Sequence, residues 1–369
     1  MYKHIVGLAL VLYTGLSCAL AQDITTMSWP QIVAQAKQEG QVNWFNWYFQ
    51  DRFRQQVSSF EAQYGIKVRI PDGDEKSNIN KFLASKTEAV GDIDVLSVGG
   101  ADFRQLTSEK SFLGPLNTLL PDGAKLRYRI EGTDSHGYGV AFWGNQSGIA
   151  YDSQRINESA LPRTLEQFAS FMQQHPNQFG LNVENGGSGP AFIEAVVRAQ
   201  VPGVDYASGI ADASVLERFA PAWRWFNQQK ERFIITASNA DSITRLSAGE
   251  FLLVPAWEDY VAGLQKKNEI PKQIRVYIPD FGMPGGGNIV AIPANAPHKA
   301  AALVFIHWLT QASTQSMFNQ VFAVVPQNPD ASADAALISA TERQNSFTWA
   351  AKPLGDRIKE QFIEHVVLK

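Results

Sequence analysis

Strand-like and helix-like stretches alternate along the first hundred residues after position 21, a pattern that closes into a compact body when helical crossovers join parallel strands. Residues 41–49 (QVNWFNWYF) are aromatic and strand-like, and Phe53, Val57, Phe60 and Tyr64 then recur at helical spacing up to Gly65. Residues 66–70 form a second expected strand, 77–89 a helix and 93–98 a third strand running into Gly99 and Gly100. The order is β-α-β-α-β. Further strands are expected at 139–143, 147–151, 251–255, 274–278 and 288–292, and helices at 164–174, 191–199, 214–230, 299–309 and 354–366. Trp44 and Phe45 should face opposite sides of a buried strand, and Trp223 and Trp225 should pack inside a helical layer.

At 369 residues with 45% hydrophobic content, one core would be outgrown, so two domains are expected. The net charge is −4 and the basic residues form no run, which argues against nucleic acid or an anionic membrane as partner. Residues 1–21 read as a cleavable export signal, with Lys3 and His4 before an apolar stretch and Ala19-Leu20-Ala21 as a small-x-small site. Cleavage would start the mature chain at Gln22 and remove Cys18, the only cysteine, so stability must come from a large core without disulfides. A bacterial periplasm is the implied location, and a monomer the implied state.

Several catalytic patterns fail. Gly285-Gly286-Gly287 runs into Asn288 and Ile289 where a phosphate loop needs Lys and Ser or Thr. Gly186-Gly187-Ser188-Gly189 is followed by Pro190 where a nucleophile elbow needs Gly. The histidines are scattered, so a zinc hydrolase lacks its ligands, and no metal or cofactor is expected. Asp92 with Asp94, or Glu258 with Asp259, could be imagined as acid and base, but paired carboxylates at helix starts are common for dipole reasons alone.

In open α/β sheets ligands lie beyond the carboxyl ends of strands, where loops lead into helices. Trp47, Tyr48, Ser97, Gly99, Gly100 and Asp102 hold such positions in the first half of the chain. In the second, Trp143, Asn145, Ser188, Gly189, the run Trp257-Glu258-Asp259-Tyr260 and Asn288 do the same. The Gly186–Gly189 loop could present N–H groups to an anion or simply cap a helix. Trp257 with Glu258 and Asp259 could cradle a cationic ring or begin a surface helix.

The order of these segments resembles the extracellular solute-binding proteins of ABC importers. Residues 41–68 (QVNWFNWYFQDRFRQQVSSFEAQYGIKV) are similar to their opening strand and helix, 92–99 (DIDVLSVG) to the third strand, and 139–152 (GVAFWGNQSGIAYD) to the crossing into the second lobe. Residues 161–168 (LPRTLEQF) resemble a helix start of the same family, and 288–309 (NIVAIPANAPHKAAALVFIHWL) its return strand, turn and helix. Within the family the chain looks most like the polyamine-, thiamine- and ferric-binding branch. The resemblance implies a two-lobed, type II periplasmic-binding-protein-like α/β fold, with lobe I at 22–139 and 287–325, lobe II at 140–286, and 326–369 as a helical segment packing across both. It also implies a small-molecule ligand in the cleft, delivered to an inner-membrane ABC permease with its ATPase. Trp47 matches the polyamine binders' aromatic position, but Phe49, Gln50, Gly187, Pro190, Gly286 and Asn288 stand where their acidic and aromatic contacts fall, and the ferric binders' Tyr-Tyr pair is missing. The ligand expected is a small polar organic solute with a ring or cationic group, thiamine-like or polyamine-like. An exported hydrolase or lyase, and a chemoreceptor-coupled sensor, are the other readings.

Overall fold

The computed structural model describes residues 23–106, 111–130, 133–339 and 341–369, so the expected export signal and Cys18 lie outside the described residues. The strands are β1 (Gln41–Phe45), β2 (Lys67–Arg69), β3 (Val95–Gly99), β4 (Arg129–Ile130), β5 (Thr133–Asp134), β6 (Val140–Asp152), β7 (Phe179–Asn182), β8 (Phe233–Thr236), β9 (Leu253–Trp257), β10 (Ile274–Tyr277), β11 (Met283–Ala291) and β12 (Ser346–Phe347). Ten of them join in the path β2-β1-β3-β11-β6-β9-β7-β8, with β10 added on β6 and β12 on β11. The β1, β2 and β3 pairings are parallel, as are those of β7 with β8 and β9, while β11 and β6 run antiparallel to their partners within the path.

Two lobes follow from how β6 and β11 are shared. Asn288–Ala291 of β11 pair with β3, and Val140–Gln146 of β6 pair with β11. Beyond that point Ser147–Tyr151 of β6 pair with β9, and Ile149–Asp152 with β10. One end of each strand therefore belongs to the first lobe and the other to the second. Residues 139–143 and 147–151, expected as separate strands, are one continuous strand of 13 residues. Gly144 and Gly148 do not break it; they admit close neighbours. A Cβ on Gly144 would stand 2.0 Å from the Gln327 amide nitrogen, and one on Gly148 would stand 2.6 Å from the Tyr277 carbonyl oxygen.

Packing places the boundary later than expected. Val140, Phe142 and Trp143 belong to the first lobe's core with Val42, Trp44, Phe53, Val290 and Phe305, so the chain passes between lobes at 144–147 and not at Val140. Trp44 and Phe45 do point to opposite faces, one into this core and the other into a smaller cluster with Phe82, Leu96 and Ile289. The second lobe's core gathers Ile149, Phe168, Phe192, Trp223, Trp225, Phe226 and Leu253.

The C-terminal segment also departs from expectation. After the helix Ala312–Phe322, Val325 donates its N–H to the Gly144 carbonyl, and the chain makes a third passage between the lobes. Ile338, Ala350, Leu354, Ile358 and Phe362 then join the second core. The strap from 326 to 353 is largely irregular, and helix occurs mainly at Leu354–Phe362, continued by a π turn at Ile363–Val367. This segment is a covering of the second lobe.

Candidate functional site

A cavity of about 580 Å³ opens where the strand ends of the two lobes face each other. From the first lobe come Trp47, Tyr48 and Phe49 after β1, Glu75 at the start of the helix Glu75–Ser85, Gly99 at the end of β3, and Asp102 in the turn of helix that follows. From the second come Gly187, Pro190, Asn239, Trp257, Asp259 and Tyr260. The crossing strands supply Asn145, Gly286, Gly287 and Asn288, and the C-terminal segment closes one side with Trp349 and Lys352 of the strap and Lys359 of the helix Leu354–Phe362. Strand-end loops from both halves thus converge on one space, as open α/β sheets arrange ligand sites.

Aromatic faces form much of the wall. The Trp257 and Trp349 rings lie 6.2 Å apart at an interplanar angle of 34°, and Trp47 meets Tyr48 edge-on at 4.9 Å. Behind Tyr48 sits Trp143, 5.2 Å away and fully buried, so Trp143 supports the floor from the core and does not line the cavity.

Against these faces stand acidic groups. Lys352 pairs with Asp102 at 3.2 Å and Lys359 with Glu184 at 2.7 Å, so both cavity lysines already have a carboxylate. Glu75 and Asp259 have no ion-pair partner among the described residues. Burial pushes the Asp259 carboxyl up to about 7, helped by the neighbouring Glu258 charge and opposed by hydrogen bonds from the Tyr260 N–H and the Asn145 side chain. Burial likewise pushes Glu75 up to about 7, with the Asp102 charge adding to the effect and the Gly99 N–H and Lys352 opposing it. The Tyr48 hydroxyl is buried without a partner among the described residues, and burial with the charges of Asp259 and Glu75 drives its ionisation well upward. It remains a neutral donor and acceptor.

Several expected site residues lie elsewhere, each for a visible reason. Ser97 is buried and accepts a 2.8 Å hydrogen bond from the Trp44 indole, so it fixes a core ring. Gly100 starts a helix and its carbonyl accepts from Thr133. Ser188 and Gly189 do not offer their N–H groups to a ligand: the Ser188 N–H goes to Asn239 Oδ1 at 3.2 Å and the Gly189 N–H to Asn182 Oδ1 at 3.0 Å. Gly189 is small because a Cβ there would stand 1.6 Å from the Asn182 carbonyl oxygen. Glu258 is fully buried and points away from the cavity, accepting the N–H groups of Leu337 at 2.6 Å and Ile338 at 2.8 Å and pairing with Arg343. It pins the C-terminal strap to the second lobe. Trp47, Tyr48, Gly99, Asp102, Asn145, Trp257, Asp259, Tyr260 and Asn288 do line the cavity.

Sequence reasoning missed Glu75, Trp349, Lys352 and Lys359. Asp74-Glu75 reads as an ordinary helix start, and Asp74 does cap its helix by accepting the Ser77 N–H at 2.7 Å. Nothing in the local pattern marks the next carboxylate as inward-facing. The strap residues are brought to the site only by the third passage between the lobes.

Among the described residues no helix is long and apolar enough to cross a membrane, and no group of three or more His, Cys, Asp and Glu could hold a metal ion. Residues 55–345 match the family described as bacterial extracellular solute-binding protein. Protein YnjB of Escherichia coli K12 is 24% identical over 318 residues, which is 78% of each chain. An extracellular solute-binding protein from Bordetella parapertussis superposes with a TM-score of 0.66 at 15% identity, covering 89% of this chain and 98% of that one. The spermidine/putrescine ABC transporter substrate-binding protein PotD from Streptococcus pneumoniae gives 0.65 at 11% identity, covering 88% and 99%.

Proposed function

We propose, since the chain belongs to the family of bacterial extracellular solute-binding proteins, that its cleft captures a small organic cation for import through an ABC permease and its ATPase. One observation carries the choice of ligand class: the buried carboxylate of Asp259 and the partly buried one of Glu75 face an aromatic cavity without an ion-pair partner among the described residues. An isolated buried carboxylate is costly, and a bound cation relieves that cost. The flat faces of Trp47, Trp257 and Trp349 suit a cationic ring or an alkylammonium chain. Thiamine-like and polyamine-like compounds both satisfy these requirements, and spermidine and putrescine, after which the Streptococcus pneumoniae PotD transporter protein is named, belong to the second. Periplasmic residence after removal of residues 1–21 fits the same role.

The cleft between lobes supports a clamp, with hinging at the strand passages near 144–147 and 284–288. Mass spectrometry of small molecules carried through native purification, followed by calorimetry with thiamine, putrescine and spermidine, tests the ligand class. At least one organic cation should bind. Trp257→Ala and Trp47→Ala should each weaken it by ~0.5–2 kcal/mol from cation–π attraction alone, because a clamp needs both walls. Binding of a neutral or anionic solute that Trp257→Ala abolishes, with no heat from any organic cation, would overturn the ligand class.

A further inference from the structure

A second cavity of about 330 Å³ lies on the other side of the passage strands, sharing Asn145, Gly286 and Gly287 with the cleft. Its character is opposite. Four carboxylates reach the cleft, whereas no Asp or Glu lines this cavity and its only charged lining residues are Arg127 and Arg343. Arg127 is exposed and spends one nitrogen on Gln327 Oε1 at 3.1 Å. Arg343 gives one nitrogen to Glu258, while its Nε is buried without a partner among the described residues. Guanidinium groups present forked donors that match the paired oxygens of a carboxylate or phosphate.

From this geometry we infer an oxyanion-binding site behind the hinge, held between Arg127 and Arg343. The two arginines come from different lobes. Arg127 lies between Leu126 and Tyr128, both packed on the first core, and Arg343 lies in the strap between Ile338 and Ala350, both in the second core. The anion therefore bridges the lobes on the far side of the passage strands from the cleft. Its occupancy is independent of the cation reading of the cleft.

Calorimetry and melting at constant ionic strength, with inorganic phosphate and citrate each compared with chloride, provide the test. Phosphate, citrate or both should bind and raise the melting temperature, since a ligand of the folded state alone does so. Which of them acts tells phosphate from carboxylate as the natural chemistry. Arg127→Gln, an exposed change, should weaken binding about tenfold or more, as expected for a lost hydrogen bond to a charged group. Arg343→Lys keeps a positive charge beside Glu258 but removes Nε, and should weaken it similarly. Lys352→Met, in the cleft, should leave it unchanged. No binding of either anion, equal binding by wild type and Arg127→Gln, or loss in Lys352→Met would each overturn the site.

Discussion

Asp259→Asn is expected to weaken binding of an organic cation by about 2 kcal/mol or more, roughly thirtyfold, because truncating one partner of a desolvated charge pair removes the counter-charge and leaves the other unpaired. The ligand-free variant should melt no lower than the parent. Burial already disfavours the Asp259 carboxylate, and Asn keeps an oxygen to accept the Tyr260 N–H, 2.8 Å away in the parent. Calorimetry on the variant and its melting curve, taken together, check both halves. A melting temperature that falls in step with affinity would make Asp259 a structural residue.

The neighbouring Glu258 should behave in the opposite way. Removing it by Glu258→Gln leaves Arg343 without its carboxylate and weakens the hold on the Leu337 and Ile338 N–H groups. Breaking a buried pair by taking away one member costs about 3–5 kcal/mol. Denaturant unfolding should show that loss in the ligand-free protein. The strap carrying Trp349 and Lys352 would then be held less firmly, so limited proteolysis between 326 and 353 should accelerate. Unchanged stability would mean that the strap is held by its apolar contacts alone.

Adjacent carboxylates with opposite duties show why the site was only partly legible. The run Trp257-Glu258-Asp259-Tyr260 pointed to the correct strand end, because a strand running into an acidic helix start at a lobe edge is a local pattern. Which carboxylate turns inward depends on the strap that covers Glu258, a segment some eighty residues downstream. Ser97 and Trp143 went astray for a related reason: strand-end position was visible, but the rings stacked beneath it were not. Trp44 claims the Ser97 hydroxyl, and Tyr48 covers Trp143. The Gly186–Gly189 loop had the composition of an anion cradle, yet Asn182 just before it takes the Gly189 N–H and Asn239, 51 residues beyond Ser188, takes the Ser188 N–H.

The fold was more legible, because periodic burial is a local property. The helix Lys299–Thr310 and the strand before it lie close to where their apolar runs placed them. The expected strands at 139–143 and 147–151 are one long strand, and Gly144, in the gap between them, serves a close approach and not a turn. The C-terminal strap carried no periodic signal over 326–353. Its course is set by tertiary contacts, so neither its irregular backbone nor its contribution of Trp349 to the cleft could be anticipated.

The raised ionisation of these two cleft carboxylates also fixes a pH signature. Asp259 and Glu75 titrate near 7 when folded, against ordinary values of 3.8 and 4.5. The folded protein therefore holds protons that the unfolded chain has lost, and ligand-free stability falls as pH rises from about 4 to about 7 and then levels. A cation binds the ionised form, so its affinity should rise over the same window and binding should expel protons below neutrality. The most direct test is calorimetry with the cation identified from native purification, at pH 6 and pH 8, each in two buffers of different ionisation enthalpy. Tighter binding at pH 8, with proton release at pH 6 that Asp259→Asn diminishes, is the expected result. Affinity independent of pH with no proton release, or proton uptake, would contradict a cation held by Asp259 and Glu75.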